Sequence, residues 1–280
     1  MTDRYCVMGN PVEHSRSPWI HARFAQLTGQ DVEYGRRLVR RDEFAQQVLA
    51  FRREGGRGCN VTVPFKFEAA TIATAASPRA RLAQACNTLR FDADGSVFGD
   101  NTDGIGLVTD ITLDAGVPLA GRDVLLIGAG GAAAGVLGPL IEAAPKRIVV
   151  TNRTRKRAGE LVARHARLAV GHGVVLAASG LGDVPGAFDI VINGTAASLH
   201  GAGVPVAASV LRPGSLAYDL MYGAAAREFL DWARANGALA RDGLGMLVEQ
   251  AAEAFLVWRG VRPPSGAVLS ELRARIEAGQ

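Results

Sequence analysis

The sequence predicts an α/β protein of two domains, the second built on a doubly wound parallel sheet, and three observations predict it. Near-continuous apolar runs recur in the second half at Val124-Leu125-Leu126-Ile127, Ile148-Val149-Val150, Ile190-Val191-Ile192 and Leu216-Ala217-Tyr218. Such runs suit strands buried on both faces of a parallel sheet. Alanine-rich helical segments lie between most of them, which is the βαβ rhythm of a doubly wound fold. Before Asn101 the style differs, with shorter strand-like runs, interspersed helices and an Asp94-Gly95 turn that predicts a hairpin.

In chain order, Tyr5-Cys6-Val7-Met8 reads as a strand stopped by Gly9-Asn10-Pro11. Ser17-Pro18 opens a helix to about Leu27, with Ser17 as N-cap and Pro18 in the first helical position. Val32-Glu33-Tyr34, Cys59-Asn60-Val61-Thr62, Ala85-Cys86-Asn87-Thr88-Leu89 and Val97-Phe98 read as further strands. A helix follows from Leu107 to Ala115 and ends at Gly116-Val117-Pro118. At the end of the chain, Leu247, Ala251, Ala254, Phe255 and Trp258, then Val268, Leu269, Leu272 and Ile276, recur at helical intervals. The predicted domains are 1–104, 105–242, and 243–280 as C-terminal helices packing back onto the first.

At 280 residues, 48% hydrophobic and 21% charged, the chain is of globular composition and can bury a core without covalent staples. Its net charge of +4 is not gathered into a stripe with interleaved aromatics, so no nucleic-acid partner is expected. No apolar run approaches the ~18 residues of a membrane span, and the N-terminus carries no signal-peptide pattern, so a cytoplasmic protein is expected. Cys6, Cys59 and Cys86 form no CxxC pair, and His14, His21, His165, His172 and His200 show no ligand spacing. Reduced thiols and no metal are expected.

Directly after the Val124–Ile127 run stands Gly128-Ala129-Gly130-Gly131-Ala132-Ala133, a G-x-G-x-x-A turn between strand and helix. This is the Rossmann-type dinucleotide signature: one glycine for the tight turn, one for close approach of a pyrophosphate, and a small residue for helix packing. NAD sites place an acid about 20 residues on. Here the second strand ends in Thr151-Asn152-Arg153-Thr154-Arg155-Lys156-Arg157, with no acid before Glu160. Guanidinium groups bind a 2′-phosphate where an acid would repel it, so NADP(H) is expected over NAD(H).

The first third holds polar residues that folding does not require. His14-Ser15-Arg16-Ser17-Pro18, Asn60-Val61-Thr62-Val63-Pro64-Phe65-Lys66, Asn87-Thr88 and Asn101-Thr102-Asp103-Gly104 supply hydroxyls, amides, one lysine and one carboxylate. That set is what a polyhydroxylated substrate needs. A ketone accepting hydride also needs a proton donor, a part for Lys66 with Asp103 as partner.

These segments, from Asn10-Pro11-Val12-Glu13-His14-Ser15 through Tyr218-Asp219-Leu220-Met221-Tyr222 to Asp242-Gly243-Leu244-Gly245-Met246-Leu247-Val248-Glu249-Gln250-Ala251, resemble in the same order those of the shikimate dehydrogenases. The resemblance implies NADP-dependent interconversion of 3-dehydroshikimate and shikimate, a step toward aromatic amino acids; a monomer and a homodimer are equally compatible with the sequence. It implies a substrate carboxylate at Ser15 and Ser17 with Thr62 and Tyr222 nearby, ring hydroxyls at Asn87, Asp103 and Gln250, Asn60 in the same pocket, and Lys66 at the reacting carbon. It implies a pyrophosphate at Gly128, Ala129, Gly130, Gly131 and Ala132, a 2′-phosphate at Asn152, Arg153, Thr154 and Arg157, and a nicotinamide beside Met221 and Gly245. Asn193-Gly194-Thr195-Ala196 departs from the more usual Asn-Ala-Thr-Ser. A quinate/shikimate dehydrogenase using NAD, and a catalytically silent NADP-binding regulator, are the alternative readings.

Overall fold

The computed structural model describes residues 2–195 and 203–279. Ala196 and His200 lie outside the described residues. The chain divides into two compact units, Met1–Gly106 with Leu247–Gln280, and Leu107–Met246.

The first unit carries β1 (Asp3–Gly9), α1 (Ser17–Thr28), β2 (Val32–Leu38), α2 (Phe44–Arg53), β3 (Gly56–Val61), α3 (Lys66–Ile72), β4 (Ala75–Ala76), α4 (Pro78–Ala83), β5 (Thr88–Phe91) and β6 (Val97–Asp100). Its sheet order is β2-β1-β3-β5-β6-β4. β1 runs parallel to both neighbours, whereas β5 is antiparallel to β3 and β6. The Asp94-Gly95 turn thus closes the expected hairpin. One face of the sheet is covered by Phe44 stacked on Phe65 at 4.7 Å, with Met8, Val48 and Leu89 fully buried beside them.

After α5 (Asp103–Thr109), the second unit carries β7 (Asp123–Ile127), α6 (Gly131–Glu142), β8 (Arg147–Asn152), α7 (Arg155–Gly171), β9 (Val175–Gly180), β10 (Phe188–Asn193), β11 (Leu211–Asp219), α8 (Arg227–Ala235) and β12 (Leu239–Arg241). All six strands are parallel, in the order β12-β11-β10-β7-β8-β9. β7, first in the chain, is central, and successive crossovers run outward on either side. The switch of direction falls between β7 and β10, where doubly wound sheets bind ligands at the carboxyl ends of the strands.

The terminal helices α9 (Leu244–Arg259) and α10 (Ser265–Glu277) complete the first unit from Leu247 onward. Trp258 stacks on Tyr5 with ring centroids 4.5 Å apart, and its indole N–H donates to Leu89 O at 3.0 Å. Arg23 of α1 holds both carboxylate oxygens of Glu271 at 2.8 Å.

Four local expectations are corrected. Ser17 is the first residue of α1 rather than its cap: Arg16 occupies the cap, and the Ser15 hydroxyl accepts from Ser17 N–H at 3.3 Å. Asn87 lies before β5, because the strand begins only at Thr88, where pairing with Asp100 starts. The helix expected from Leu107 begins four residues earlier at Asp103, and loosens into a wider turn over Asp110–Asp114. Finally, β9 and β12 were not expected. They are the two outermost strands, their Val175 and Leu239 largely exposed; β9 lies on the apolar run Val174-Val175-Leu176-Ala177-Ala178, which does signal a strand, and β12 is only three residues long.

Candidate active site

In the first unit the polar residues singled out from the sequence converge on one pair. Lys66 opens α3 after the turn closed by Phe65 N–H on Thr62 O at 3.0 Å, and Asp103 opens α5. Lys66 Nζ lies 2.5 Å from Asp103 Oδ2, with both side chains nearly buried at 14% and 6% exposure. The other carboxylate oxygen, Oδ1, accepts from Asn87 Nδ2 at 2.9 Å. The same Asn87 nitrogen reaches Thr102 Oγ1 at 2.9 Å and Gln250 Oε1 at 3.3 Å. Asn87 Oδ1 accepts from Thr102 N–H and from the Thr88 hydroxyl, each at 2.9 Å. Buried amides of this kind hold one orientation only when every donor and acceptor is paired.

A second layer fixes the first. Asn60 Nδ2 donates to Asn87 O at 3.2 Å and to Thr88 Oγ1 at 3.1 Å, while its Oδ1 accepts the Tyr34 hydroxyl at 2.6 Å. Asn101 Oδ1 accepts Asp103 N–H at 3.2 Å, and its Nδ2 donates to Ala85 O at 2.9 Å. Tyr34 read from the sequence only as a strand residue. No local pattern tied it to Asn60, 26 positions away.

Among the described residues, Ser15, Ser17 and Thr62 make no direct hydrogen bond to Lys66, Asp103 or Asn87. The Ser15 carbonyl is clasped by Arg36 Nε at 3.1 Å and Nη2 at 2.6 Å.

The second unit presents a separate arrangement. Gly128 follows β7 at φ 114°, where a side chain would strain the backbone and its Cβ would meet Gly194 O at 3.0 Å. At Gly130 a Cβ would meet nothing within 4 Å. That glycine caps α6 without a side-chain acceptor, and no acid stands in the helix's first turn. Open space and a helix start without a side-chain cap fit a pyrophosphate. Ala133 is fully buried under the turn, while Ala129, Gly131 and Ala132 are part-exposed.

Beyond β8, Asn152 Nδ2 donates to Thr154 O at 3.1 Å, shaping the loop. Arg153, Thr154, Arg155, Lys156 and Arg157 are all exposed. Among the described residues Arg153, Arg155 and Arg157 have no carboxylate partner, and Lys156 lies 3.9 Å from Glu160. Three cations in the first turn of α7 oppose its dipole, so a bound anion would relieve them. That chemistry fits a 2′-phosphate.

The ends of β10 and β11 add a third group. Asp219 accepts Asn193 Nδ2 at 3.0 Å and Met221 N–H at 2.8 Å. Burial pushes its carboxyl up to about 6, although both hydrogen bonds pull the other way. Asn193 Oδ1 accepts from the Thr195 hydroxyl at 2.7 Å, so the loop that departs from the usual pattern is fastened through Asp219. Met221 and Tyr222 are half-buried just after β11. Gly245 is buried, and a Cβ there would lie 1.8 Å from Asp110 Oδ1. Among the described residues no cluster of three metal-ligating side chains occurs, and no helix is long and apolar enough to cross a membrane.

Comparison with known proteins agrees along the chain. Residues 7–89 match the shikimate dehydrogenase substrate binding domain, 112–202 match shikimate / quinate 5-dehydrogenase, and 243–273 match the shikimate 5′-dehydrogenase C-terminal domain. The chain is 68% identical to an NADP(+) shikimate dehydrogenase of Acidovorax sp. (strain JS42), covering 99% of this chain and 98% of that one. It is 64% identical to one of Methylibium petroleiphilum, covering 98% and 95%. Among solved structures, an Ael1 enzyme from Pseudomonas putida superposes with TM-score 0.85 at 46% identity, covering 97% and 98%. The shikimate 5-dehydrogenase of Thermus thermophilus, in complex with NADP(H) and shikimate, does so with TM-score 0.81 at 29% identity, covering 98% and 99%. The chain belongs to the shikimate dehydrogenase family.

Proposed function

We propose that this protein is an NADP-dependent oxidoreductase that reduces 3-dehydroshikimate to shikimate, reversibly, on the route to aromatic amino acids. The observation that carries the reading is the Lys66–Asp103 pair at 2.5 Å, set in one hydrogen-bonded cluster with Asn87 and Gln250. Relatives at 68% identity bearing that activity support it.

Bound NADPH supplies a hydride to the ketone carbon. Lys66 Nζ supplies the proton that the forming alkoxide needs, and takes it back in the oxidative direction. Asp103 Oδ2 holds the ammonium in place and Oδ1 anchors Asn87. Asn87, Asp103 and Gln250 are then the partners for ring hydroxyls. Asn60 orients Asn87 from behind, and Ser15, Ser17, Thr62 and Tyr222 take the substrate carboxylate. Gly128, Ala129, Gly130, Gly131 and Ala132 take the pyrophosphate, while Asn152, Arg153, Thr154 and Arg157 take the 2′-phosphate. Met221 and Gly245 face the nicotinamide.

Absorbance at the nicotinamide band tests this, with shikimate plus NADP⁺ against quinate plus NAD⁺. Reduction with the first pair alone is expected. Equal rates with the second indicate a quinate/shikimate dehydrogenase, and silence with both indicates a binding protein. Three free, buried cysteines suit a cytoplasmic setting, which cell fractionation checks, and gel filtration separates monomer from homodimer.

A further inference from the structure

The partners of Asn87 come from two stretches of chain. Asp103 stands at the turn from β6 into α5, and Gln250 stands on α9. Asn87 touches both, but no covalent feature sets the spacing between them. A half-buried guanidinium does. Arg79, the second residue of α4, places Nε 2.8 Å from Asp100 Oδ1 and Nη2 2.6 Å from Asp100 Oδ2. The same Nη2 lies 2.9 Å from Glu253 Oε1.

Each carboxylate leads to a site residue. Asp100 Oδ1 accepts the Asn101 N–H at 2.7 Å, and Asn101 Oδ1 accepts the Asp103 N–H at 3.2 Å. Ser77, the cap of α4, adds its hydroxyl to Asp100 Oδ1 at 2.5 Å. On the other side, Glu253 lies one helical turn beyond Gln250. Arg262 braces that face of α9 through Glu253 at 2.8 Å and the buried Glu249 at 3.2 Å. Asp100 and Glu253 are 4% and 14% exposed, and two such acids would repel without the cation between them. Only a planar fork satisfies one carboxylate bidentately and a second at once; a lysine is a point charge.

We propose that Arg79 is a positioning residue for the reaction, setting the separation of Asp103 and Gln250 and hence the fit of the ring hydroxyls between them. The proposal rests on the assignment of those two residues to substrate hydroxyls. A displacement of about 1 Å at a site built this way can cost on the order of 10²-fold in rate.

The test is steady-state kinetics with shikimate and NADP⁺ on the full chain, for Arg79→Lys and Glu253→Gln, each alone and in a Gln250→Ala background. Arg79→Lys is expected to lower kcat/KM for shikimate by roughly tenfold to 100-fold while the KM for NADP⁺ stays within about twofold. In the Gln250→Ala background the same change is expected to cost less than about threefold, because coupled residues are non-additive. A full loss in both backgrounds, or an equal rise in the KM for NADP⁺, overturns the proposal. If Arg79→Lys does not fold, as judged by its melting transition, Glu253→Gln keeps the Arg79–Asp100 pair and carries the same cycle under the same criterion. A wild-type protein inert toward shikimate and NADP⁺ sinks the functional reading and this proposal together; an active wild type with additive variants sinks this proposal alone.

Discussion

Lys66 and Asp103 each open a helix, and they meet at 2.5 Å between Nζ and Oδ2. The two ends have opposite electrostatics. A carboxylate in a first turn works with the helix dipole, whereas an ammonium there works against it. Lys66 is therefore held at an unfavourable place in α3 by its partner.

Replacing Lys66 with alanine is expected to lower kcat by about 10²–10⁴, the usual worth of general acid–base help, with little change in the KM for shikimate. Steady-state kinetics at saturating NADP⁺ checks this. Near-normal turnover would remove Lys66 from the proton-transfer role.

Arg153 stands exposed between β8 and α7. A charge-assisted hydrogen bond is worth about 1.5–3 kcal/mol, so Arg153→Ala is expected to raise the KM for NADP⁺ by roughly tenfold to 100-fold. The KM for NAD⁺, which lacks the 2′-phosphate, should scarcely move. Parallel changes with both dinucleotides would rule against 2′-phosphate recognition here.

The parts legible in the sequence were those whose physics is local. The run at Val124–Ile127 and the glycines after it announce a strand, a turn and a helix within a short stretch, and the structure has β7, the turn and α6 there. Of the outer strands, β12 is too short, at Leu239–Arg241, to show a run, whereas β9 does carry one in Val174-Val175-Leu176-Ala177-Ala178, without the glycine-rich turn that marks β7. Arg79 and Asp100 were equally silent. They are 21 positions apart, and only the β5–β6 hairpin and the docking of α4 bring them to 2.6 Å. Ser17 misled in a different way: a serine before proline has the chemistry of a cap, but here the chain enters the helix one residue earlier and the Ser15 hydroxyl bonds the Ser17 N–H.

His21 makes stability pH-dependent. Its ring is fully buried, stacked on Tyr34 at 4.2 Å and edge-on to Phe24 at 5.9 Å. Burial pushes its pKa from 6.5 down to about 3, against a weaker opposing pull from Asn60. Between those two values the unfolded chain binds the proton and the folded chain does not, so stability is lost as pH falls through that window. At about 1.4 kcal/mol per pKa unit the loss is of the order of a few kcal/mol. His21→Phe is expected to flatten this slope, read from urea midpoints at about pH 7, 5 and 4. An unchanged slope would assign the acid sensitivity to other groups.

Gly245 tests the packing beneath the start of α9. Asp110 is fully buried, accepting the Tyr218 hydroxyl at 2.6 Å and Arg241 Nε at 2.9 Å, with Arg241 Nη2 on its other oxygen. A Cβ at position 245 would lie 1.8 Å from Asp110 Oδ1 and 2.2 Å from its Cγ. An alanine must therefore drive the carboxylate off its partners, leaving a buried charge uncompensated at a cost of about 3–5 kcal/mol. Gly245→Ala is expected to shift the denaturant midpoint by that amount. In an Asp110→Ala background the space is vacated, so the second alanine should add less than about 1 kcal/mol, the strong non-additivity of two residues in contact. An equal cost in both backgrounds would place the requirement for glycine in the backbone at 245 rather than in the carboxylate opposite it.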